Sequence, residues 1–232
     1  MNSFLLQIPL TTDSLSAPVI TEKTLSVIDL ITSGGIGGNL VMGALGLLSI
    51  FAVYILIERF SAIRKASIED DSFLKSIQNF VEAKDIEAAK TLCRNTDSPI
   101  SRMIEKGVNR INKPMTDISA AIENQGKLEV FKMENNLASL ATISGAAPMI
   151  GFLGTVIGMI VAFHEMASAG GNIDVEMLSK GIYTAMTTTV AGLIVGIIAF
   201  IAYNYLVSKV DKVVFMLEAK TTEFLDLLHH NE

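Results

Sequence analysis

Hydroxyl side chains stand inside long apolar stretches of this 232-residue chain. The segment "GFLGTVIGMIVAF", residues 151–163, contains Thr155, and a later apolar stretch contains the run Thr187-Thr188-Thr189. A threonine hydroxyl donates one hydrogen bond and accepts others. In an apolar helix it bonds either to the carbonyl one turn earlier on its own helix or to a polar group on a neighbour. These threonines are therefore candidates for contact with a proton, an ion or a buried acid.

Small residues surround these hydroxyls at helical spacing. At about 100° per residue, each of the two stretches places its small residues and threonines on one face of a helix. Such faces let two helices approach closely in lipid. Faces of small residues with a few hydroxyls would also suit a surface that surrounds a helix of another protein or lines a narrow water-filled path. Close helix packing and this second interpretation both stay open. Pro148 frees a carbonyl, because proline has no backbone N–H. The first face comprises Ser144, Ala147, Gly151, Gly154, Thr155, Gly158 and Ala162, and the second comprises Gly181, Ala185, Thr188, Thr189, Gly192, Gly196 and Ala199.

The elements that carry these faces are long enough to cross a membrane. Residues 39–57, 137–163 and 181–207 are runs of 19, 27 and 27 residues without a charged side chain or a histidine. A helix needs about 20 apolar residues to span the hydrocarbon core. We therefore expect three transmembrane helices. Any titrating or ion-binding carboxylate between them must come from another chain.

Basic residues predict how these helices are oriented. Residues 58–136 carry thirteen Lys and Arg, and the tail 208–232 carries three. The N-terminal segment 1–38 and the loop 164–180 carry one each. Since basic loops stay on the cytoplasmic side, the segment 1–38 and the loop are predicted to lie on the outer side of the membrane. A short amphipathic surface helix is expected around residues 24–32.

The cytoplasmic regions are predicted to be helical. Ser98-Pro99 is typical of an N-cap followed by the first helical position. No helix breaker follows Pro114 before the second span, which predicts one helix of about 50 residues. Helices that extend far beyond the membrane are typical of oligomers, so we expect an all-α membrane protein that assembles as a homo-oligomer. The third helix keeps an apolar stripe along the tail, at Val210, Val213, Val214, Leu217, Phe224 and Leu228.

Composition and spacing argue against other classes. A formal charge of −6 gives no reason to expect nucleic-acid binding. Cys93 is the only cysteine, and His164, His229 and His230 lack metal-ligand spacing, so no metal, cofactor or catalytic residue is expected. A transporter is disfavoured because three spans show no inverted repeat. A structural membrane scaffold, in which the small faces serve only assembly, stays open as an alternative.

Two segments resemble the pore helices of the MotA/TolQ/ExbB proton-channel family. They read "SGAAPMIGFLGTVIGMIVAF" and "SKGIYTAMTTTVAGLIVGIIAFIAYNYL". The pattern A-P-x-x-G-x-x-G-T-V-x-G, from Ala147 to Gly158, is the specific element of the resemblance. Three spans rather than four favour the ExbB and TolQ branch over the flagellar MotA branch, and ExbB in particular.

The resemblance implies an ion-driven motor subunit of the bacterial inner membrane, which would serve TonB-linked import, Tol-Pal envelope integrity or motility. In that family five copies surround two copies of a single-span partner of the ExbD/TolR type, whose membrane Asp carries the proton, and a TonB-type protein transmits the energy. The pore threonines of the family correspond to Thr155 and Thr189, with Thr188 and Thr184 as further candidates. ExbB relatives carry a glutamate at the position of Thr184. That difference and the Thr188-Thr189 pair leave proton and sodium open as the coupling ion.

Overall fold

The computed structural model describes residues 35–67, 71–168 and 175–230. Within these ranges the chain forms seven α-helices and no β-strand. The surface helix expected around residues 24–32, and residues 169–174 of the expected periplasmic loop, lie outside the described residues. The helices are α1 (Gly35–Ala66), α2 (Asp71–Glu82), α3 (Ile86–Asn95), α4 (Pro99–Val108), α5 (Met115–Glu134), α6 (Leu137–Ser168) and α7 (Val175–His230).

Three helical segments of the described chain are long and apolar enough to cross a membrane. They lie in α1, in α5 together with α6, and in α7. Helices α6 and α7 pack together along most of their apolar lengths, and α1 packs against both. Their outward faces carry large apolar side chains such as Ile50, Phe152 and Ile201, which are 63% to 70% exposed. Apolar side chains all round a helix bundle are what lipid, rather than water, accommodates.

A two-residue turn separates α5 from α6, so the prediction of one uninterrupted helix is wrong. Asn136 has a φ of 64°, the left-handed conformation that asparagine tolerates better than most residues. Arg59 of α1 donates from Nη1 to the carbonyl of Lys132 (2.9 Å), in the last turn of α5. Arg59 also pairs with Glu58, whose carboxylate accepts from the Asn136 side chain (3.5 Å). The break escaped prediction because no Gly or Pro marks it.

Helices α2 to α5 form a helical domain beyond the membrane helices. Ser98 caps α4 by accepting from the Ser101 N–H, and Pro99 takes the first position, as the sequence predicts. Ile77 of α2, Ile104 of α4 and Ile122 of α5 are fully buried. All three belong to one buried apolar cluster, and each of their helices also packs against the tail of α7.

The tail of α7 is covered by its own chain. Helix α7 runs for 56 residues from the membrane region into the helical domain, where it contacts α2, α4 and α5. The apolar stripe of the tail therefore does not by itself require a second chain, contrary to the expectation from the sequence. The stripe's buried members are Val210, Val213, Leu217, Phe224 and Leu228.

Candidate functional site in the membrane helices

Helices α6 and α7 touch backbone to backbone at Gly151 and Gly192. A Cβ atom built on Gly192 would lie 2.5 Å from the carbonyl oxygen of Ala147 and 2.9 Å from the Gly151 Cα. A Cβ atom on Gly151 would lie 2.7 Å from the carbonyl oxygen of Thr188. Because these distances are shorter than a van der Waals contact, only glycine fits at either position.

The remaining small residues continue this contact in both directions. A Cβ atom on Gly158 would lie 2.9 Å from the Ala185 Cβ, and one on Gly181 would lie 2.5 Å from the Ala162 Cβ. Gly154 lies against the Thr188 side chain. The two small-residue faces are therefore turned towards each other. The space that the glycines leave is occupied by the neighbouring helix of the same chain rather than by a guest helix.

Pro148 and Gly196 form the end of this contact nearer the helical domain. A Cβ atom on Gly196 would lie 2.6 Å from the Pro148 ring and 3.1 Å from the carbonyl oxygen of Ser144. Since Pro148 has no N–H, that carbonyl lacks its usual helical donor. The absence of a side chain at Gly196 lets α7 approach the ring and the freed carbonyl directly.

Three threonine hydroxyls meet two backbone carbonyls in the middle of the contact. Thr155 donates to the carbonyl of Ala185 (3.0 Å), and Thr189 donates to the carbonyl of Gly151 (3.2 Å). The two hydroxyls also hydrogen-bond to each other. Thr188 is within reach of both carbonyls, at 3.1 Å from Gly151 and 2.7 Å from Ala185. We call Thr155, Thr188, Thr189 and these carbonyls the hydroxyl cluster.

The hydroxyl cluster crosses between helices in a reciprocal way. Gly151 is one turn before Thr155, and Ala185 is one turn before Thr189. Each threonine therefore bonds to the carbonyl that the other would use if it bonded back on its own helix. Thr184 and Thr187 do bond back on α7, to Lys180 (3.0 Å) and Tyr183 (2.9 Å) respectively. Thr184 is thus not part of the cluster.

One side of the cluster is open. Val41 of α1 lies against Gly154, and Ile157 of α6 lies against Gly37 of α1. Thr155 lies about 100° around α6 from Gly154, on the side that α1 does not cover. Thr188 is buried, whereas Thr155 and Thr189 are half-buried. A group that approaches α6 and α7 from the side away from α1 would therefore meet these two hydroxyls first.

The cluster offers hydrogen bonding without a charge of its own. Its three threonines contribute three protons, whereas the acceptors in reach are two carbonyls and the hydroxyl oxygens themselves. The protons can therefore be arranged in more than one satisfied way. Among the described residues, no group of His, Cys, Asp and Glu is placed to hold a metal ion. The threonine hydroxyls can therefore donate a hydrogen bond to an anion or accept one from a protonated acid.

The sequence matches the MotA/TolQ/ExbB proton channel family over residues 95–219, more than half of the chain. This range contains α4 to α6, the hydroxyl cluster and most of α7. The chain belongs to that family. It is a multi-pass membrane protein with an all-helical fold.

Relatives of this family member carry ExbB and TolQ names. A putative biopolymer transport protein ExbB homolog of Methanothermobacter thermautotrophicus is 28% identical over 187 residues, which cover 80% of this chain and 64% of the relative. The biopolymer transport protein ExbB of Helicobacter pylori is 40% identical over 79 residues, covering 34% and 54%. The Tol-Pal system protein TolQ of Pseudomonas aeruginosa is 25% identical over 223 residues, covering 91% and 96%. The match thus spans less than two thirds of these two ExbB relatives and nearly all of TolQ.

A buried carboxylate organises the helical domain of this MotA/TolQ/ExbB member. The Glu129 side chain on α5 is 3% exposed and pairs with Arg102 of α4 through two bonds of 3.0 and 2.7 Å. Lys132 (2.9 Å) and Gln125 (2.8 Å) also donate to it. Arg102 continues to Asp97 (2.8 Å), which accepts from Lys65 of α1 (2.6 Å). The network links α1, α4 and α5.

These contacts determine the charge states of the network. Burial raises the pKa of Glu129, but the hydrogen bonds from Arg102 and Lys132 outweigh it, so the pKa lies below the usual 4.5. The hydrogen bond from Lys65 is the main reason that the pKa of Asp97 is lowered. Glu129 was not among the functional residues predicted from the sequence, although Gln125 one turn earlier lies on the partly buried face of α5. The sequence feature that could have identified this site is the pair Gln125 and Glu129, spaced by four residues on an otherwise apolar helix face.

Proposed function

We propose that this protein is the ion-channel subunit of an inner-membrane motor that uses the proton motive force, with an ExbD/TolR-type partner, to energise TonB-dependent transport across the outer membrane. The observation that carries this proposal is the pair of half-buried hydroxyls, Thr155 and Thr189, on the open side of α6 and α7. The family match covers both threonines. The spans contain no acid of their own, so the partner supplies the carboxylate.

The hydroxyl pair suits a carboxyl group in both of its protonation states. An ionised carboxylate accepts one hydrogen bond from Thr155 and one from Thr189, while the Thr188 hydroxyl keeps its bond to a backbone carbonyl. A protonated carboxyl donates to either hydroxyl oxygen instead. No buried polar group is left without a partner in either state, which lowers the cost of ionising an acid inside the membrane.

The proposed assembly is a homopentamer that surrounds two partner helices. Helices α6 and α7 face the axis with the hydroxyl pair, and α1 lies on the lipid side. The contacts of α1 with Gly154 and Ile157, on the side away from Thr155, support this arrangement. With five subunits around two helices, the two partner acids occupy unequal positions, so alternate protonation drives stepwise rotation. One charge that moves through 100 mV supplies about 2.3 kcal/mol for such a step.

The proposed orientation places residues 58–136 and the tail 208–232 in the cytoplasm and the N-terminus in the periplasm. A single cysteine at Ser26 tests this orientation. The native Cys93 is buried, and burial, aided by the charge of Glu105, raises the pKa of its thiol to about 12, so it stays unreactive at neutral pH. We expect a membrane-impermeant maleimide to label Ser26→Cys from the periplasmic side. Labelling only from the cytoplasmic side would show that the orientation is the opposite of the proposed one.

A TolQ-like role in envelope integrity is the second candidate function. It is favoured by the match over 96% of the length of the Pseudomonas aeruginosa TolQ protein. The two roles use the same membrane chemistry and differ in the protein that receives the energy. Complementation separates them: rescue of siderophore uptake in an exbB-deficient strain indicates the TonB role, and rescue of detergent resistance in a tolQ-deficient strain indicates the Tol-Pal role.

Reconstitution into lipid vesicles tests the shared part of the proposal. The full chain is inserted alone, with its single-span partner, or with the partner in which the membrane Asp is changed to Asn. We expect an imposed pH gradient or sodium gradient to drive ion flux only with the unaltered partner, and native mass spectrometry to give five copies of this chain with two of the partner. Failure to bind the partner, or equal flux without it, would contradict the proposal.

A further inference from the structure

A crevice between α1 and α7 changes from apolar to basic along its length. Its apolar part lies within the membrane region, around a cavity of about 40 Å³. That cavity is lined by residues of α1 and α7, among them Val53 and Ile198, and by Leu140 of α6. Its basic part surrounds a cavity of about 350 Å³ whose lining includes Arg64 of α1 and Lys209 of α7. On both helices the lining residues recur every three or four positions, so the two cavities follow one pair of helix faces.

The basic cavity lies where the apolar spans end. Arg64 is roughly 10 Å of helix beyond Ile57, the last residue of the first apolar run, and Lys209 lies two residues after the end of the third. Aromatic side chains form its wall on the membrane side, with Phe60 stacked on Tyr205 at a ring separation of 6.3 Å. Aromatic rings followed by basic side chains are typical of the headgroup region of a bilayer.

The two cations of this cavity are not neutralised by the chain. The other cations of α1 are engaged: Arg59 pairs with Glu58, and Lys65 with Asp97. Among the described residues, neither Arg64 nor Lys209 has an acidic partner, and the Lys209 ammonium lies 5.4 Å from the centre of the Tyr205 ring. Two unneutralised cations beside aromatic rings present a site for an anion of headgroup size.

We propose that this crevice binds one anionic phospholipid from the leaflet next to the helical domain. The phosphate lies between Arg64 and Lys209, and an acyl chain follows the apolar part towards Val53 and Ile198. The distance from Arg64 to Val53 along α1 is about 16 Å, which most of an acyl chain would cover. The side chains of Val53 and Ile198 are 44% and 52% exposed, which leaves apolar surface for that chain to cover. The lipid joins α1 to α7 at the membrane boundary.

Native mass spectrometry of the full chain in detergent tests this proposal with phosphatidylglycerol as the anionic probe and phosphatidylcholine as the zwitterionic one. The double variant Arg64→Gln/Lys209→Gln is expected to bind phosphatidylglycerol about 25-fold more weakly, at roughly fivefold per cation. Its binding of phosphatidylcholine is expected to stay unchanged. The control Lys106→Gln/Lys113→Gln removes the same charge from exposed positions of the helical domain and is expected to bind like the wild type.

Three results would overturn the proposal. The first is equal binding of phosphatidylglycerol by the wild type and the Arg64→Gln/Lys209→Gln variant. The second is an equal loss in the control. The third is displacement of the lipid by glycerol phosphate at matching concentration, which would identify a soluble phosphate as the ligand. Val53→Asn provides a further measurement: weaker binding of both lipids supports the acyl-chain path, and unchanged binding contradicts it.

Discussion

The contact between α6 and α7 and the contact between α4 and α5 hold helices together by opposite means. In the first, glycines bring backbones together and threonine hydroxyls bond to carbonyls of the other helix. In the second, Ile104 and Ile122 are buried from water, and the Arg102–Glu129 pair connects the helices. The membrane contact uses no charge, whereas the contact in the helical domain has a charged centre.

The difference follows from the solvent on each side of the bundle. Apolar side chains gain little by leaving lipid, so membrane helices gain stability from close packing and from hydrogen bonds. In water the burial of apolar faces supplies the driving force, and a paired charge contributes fixed geometry. Steric changes should therefore disrupt the first contact, and charge changes the second.

The largest effect is expected from adding one methyl group at Gly192. Gly192→Ala places a Cβ atom 2.5 Å from the Ala147 carbonyl oxygen, and neither backbone can move without separating α6 from α7. We expect a loss of about 3 kcal/mol or more in the free energy of unfolding, at the upper end for overpacking. Thermal unfolding in detergent, followed by circular dichroism, measures it. Gly145→Ala is the matched control on α6, because no atom lies within 4 Å of its added Cβ. Equal stability of the two variants would contradict the packing account.

Glu129→Gln is expected to have the next largest effect, in the helical domain. It removes the charged partner of Arg102 and Lys132, and the loss should be about 1.5–3 kcal/mol. The control Glu123→Gln changes an exposed pair with Lys127 on the same helix and should leave stability close to that of the wild type. Chemical denaturation of the detergent-solubilised chain measures both.

The same carboxylate predicts a dependence of stability on pH. Because its pKa in the folded chain is lowered below 4.5, Glu129 stabilises the fold above that pH. This contribution is lost as the pH falls from 4.5 through the lowered value. The wild type should therefore lose more stability on acidification than Glu129→Gln. Parallel pH profiles for the two proteins would show that Glu129 does not make this contribution.

A smaller effect is expected at the turn between α5 and α6. Asn136→Val places a β-branched side chain at a φ of 64° and should cost about 1–2 kcal/mol. Asn136→Gly adopts this conformation freely and should stay within a few tenths of a kcal/mol of the wild type. Thermal unfolding separates the two. If valine is tolerated as well as glycine, the turn is not fixed by its backbone conformation.

The sequence predicts the membrane region better than the helical domain. Uncharged runs and small-residue faces can be identified from composition and helical spacing alone. These two patterns predicted α6 and α7. What those faces contact depends on how two helices pair, and spacing alone does not distinguish a neighbour in the same chain from a guest helix. The break at Asn136 and the burial of Glu129 also depend on partners distant in sequence, Arg59 and Arg102.

The proposed role of the Thr155 and Thr189 hydroxyls can be tested by ion flux through vesicles that contain the chain and its partner. Thr155→Val and Thr189→Val keep the shape of the side chain and remove the hydroxyl, and Thr187→Val does the same to a hydroxyl bonded within its own helix. Loss of a hydrogen bond to a charged group, about 1.5–3 kcal/mol, should slow flux ten- to a hundredfold in the first two variants. Complex yield should stay normal, and Thr187→Val should conduct like the wild type. Full flux through both Thr155→Val and Thr189→Val would contradict the claim.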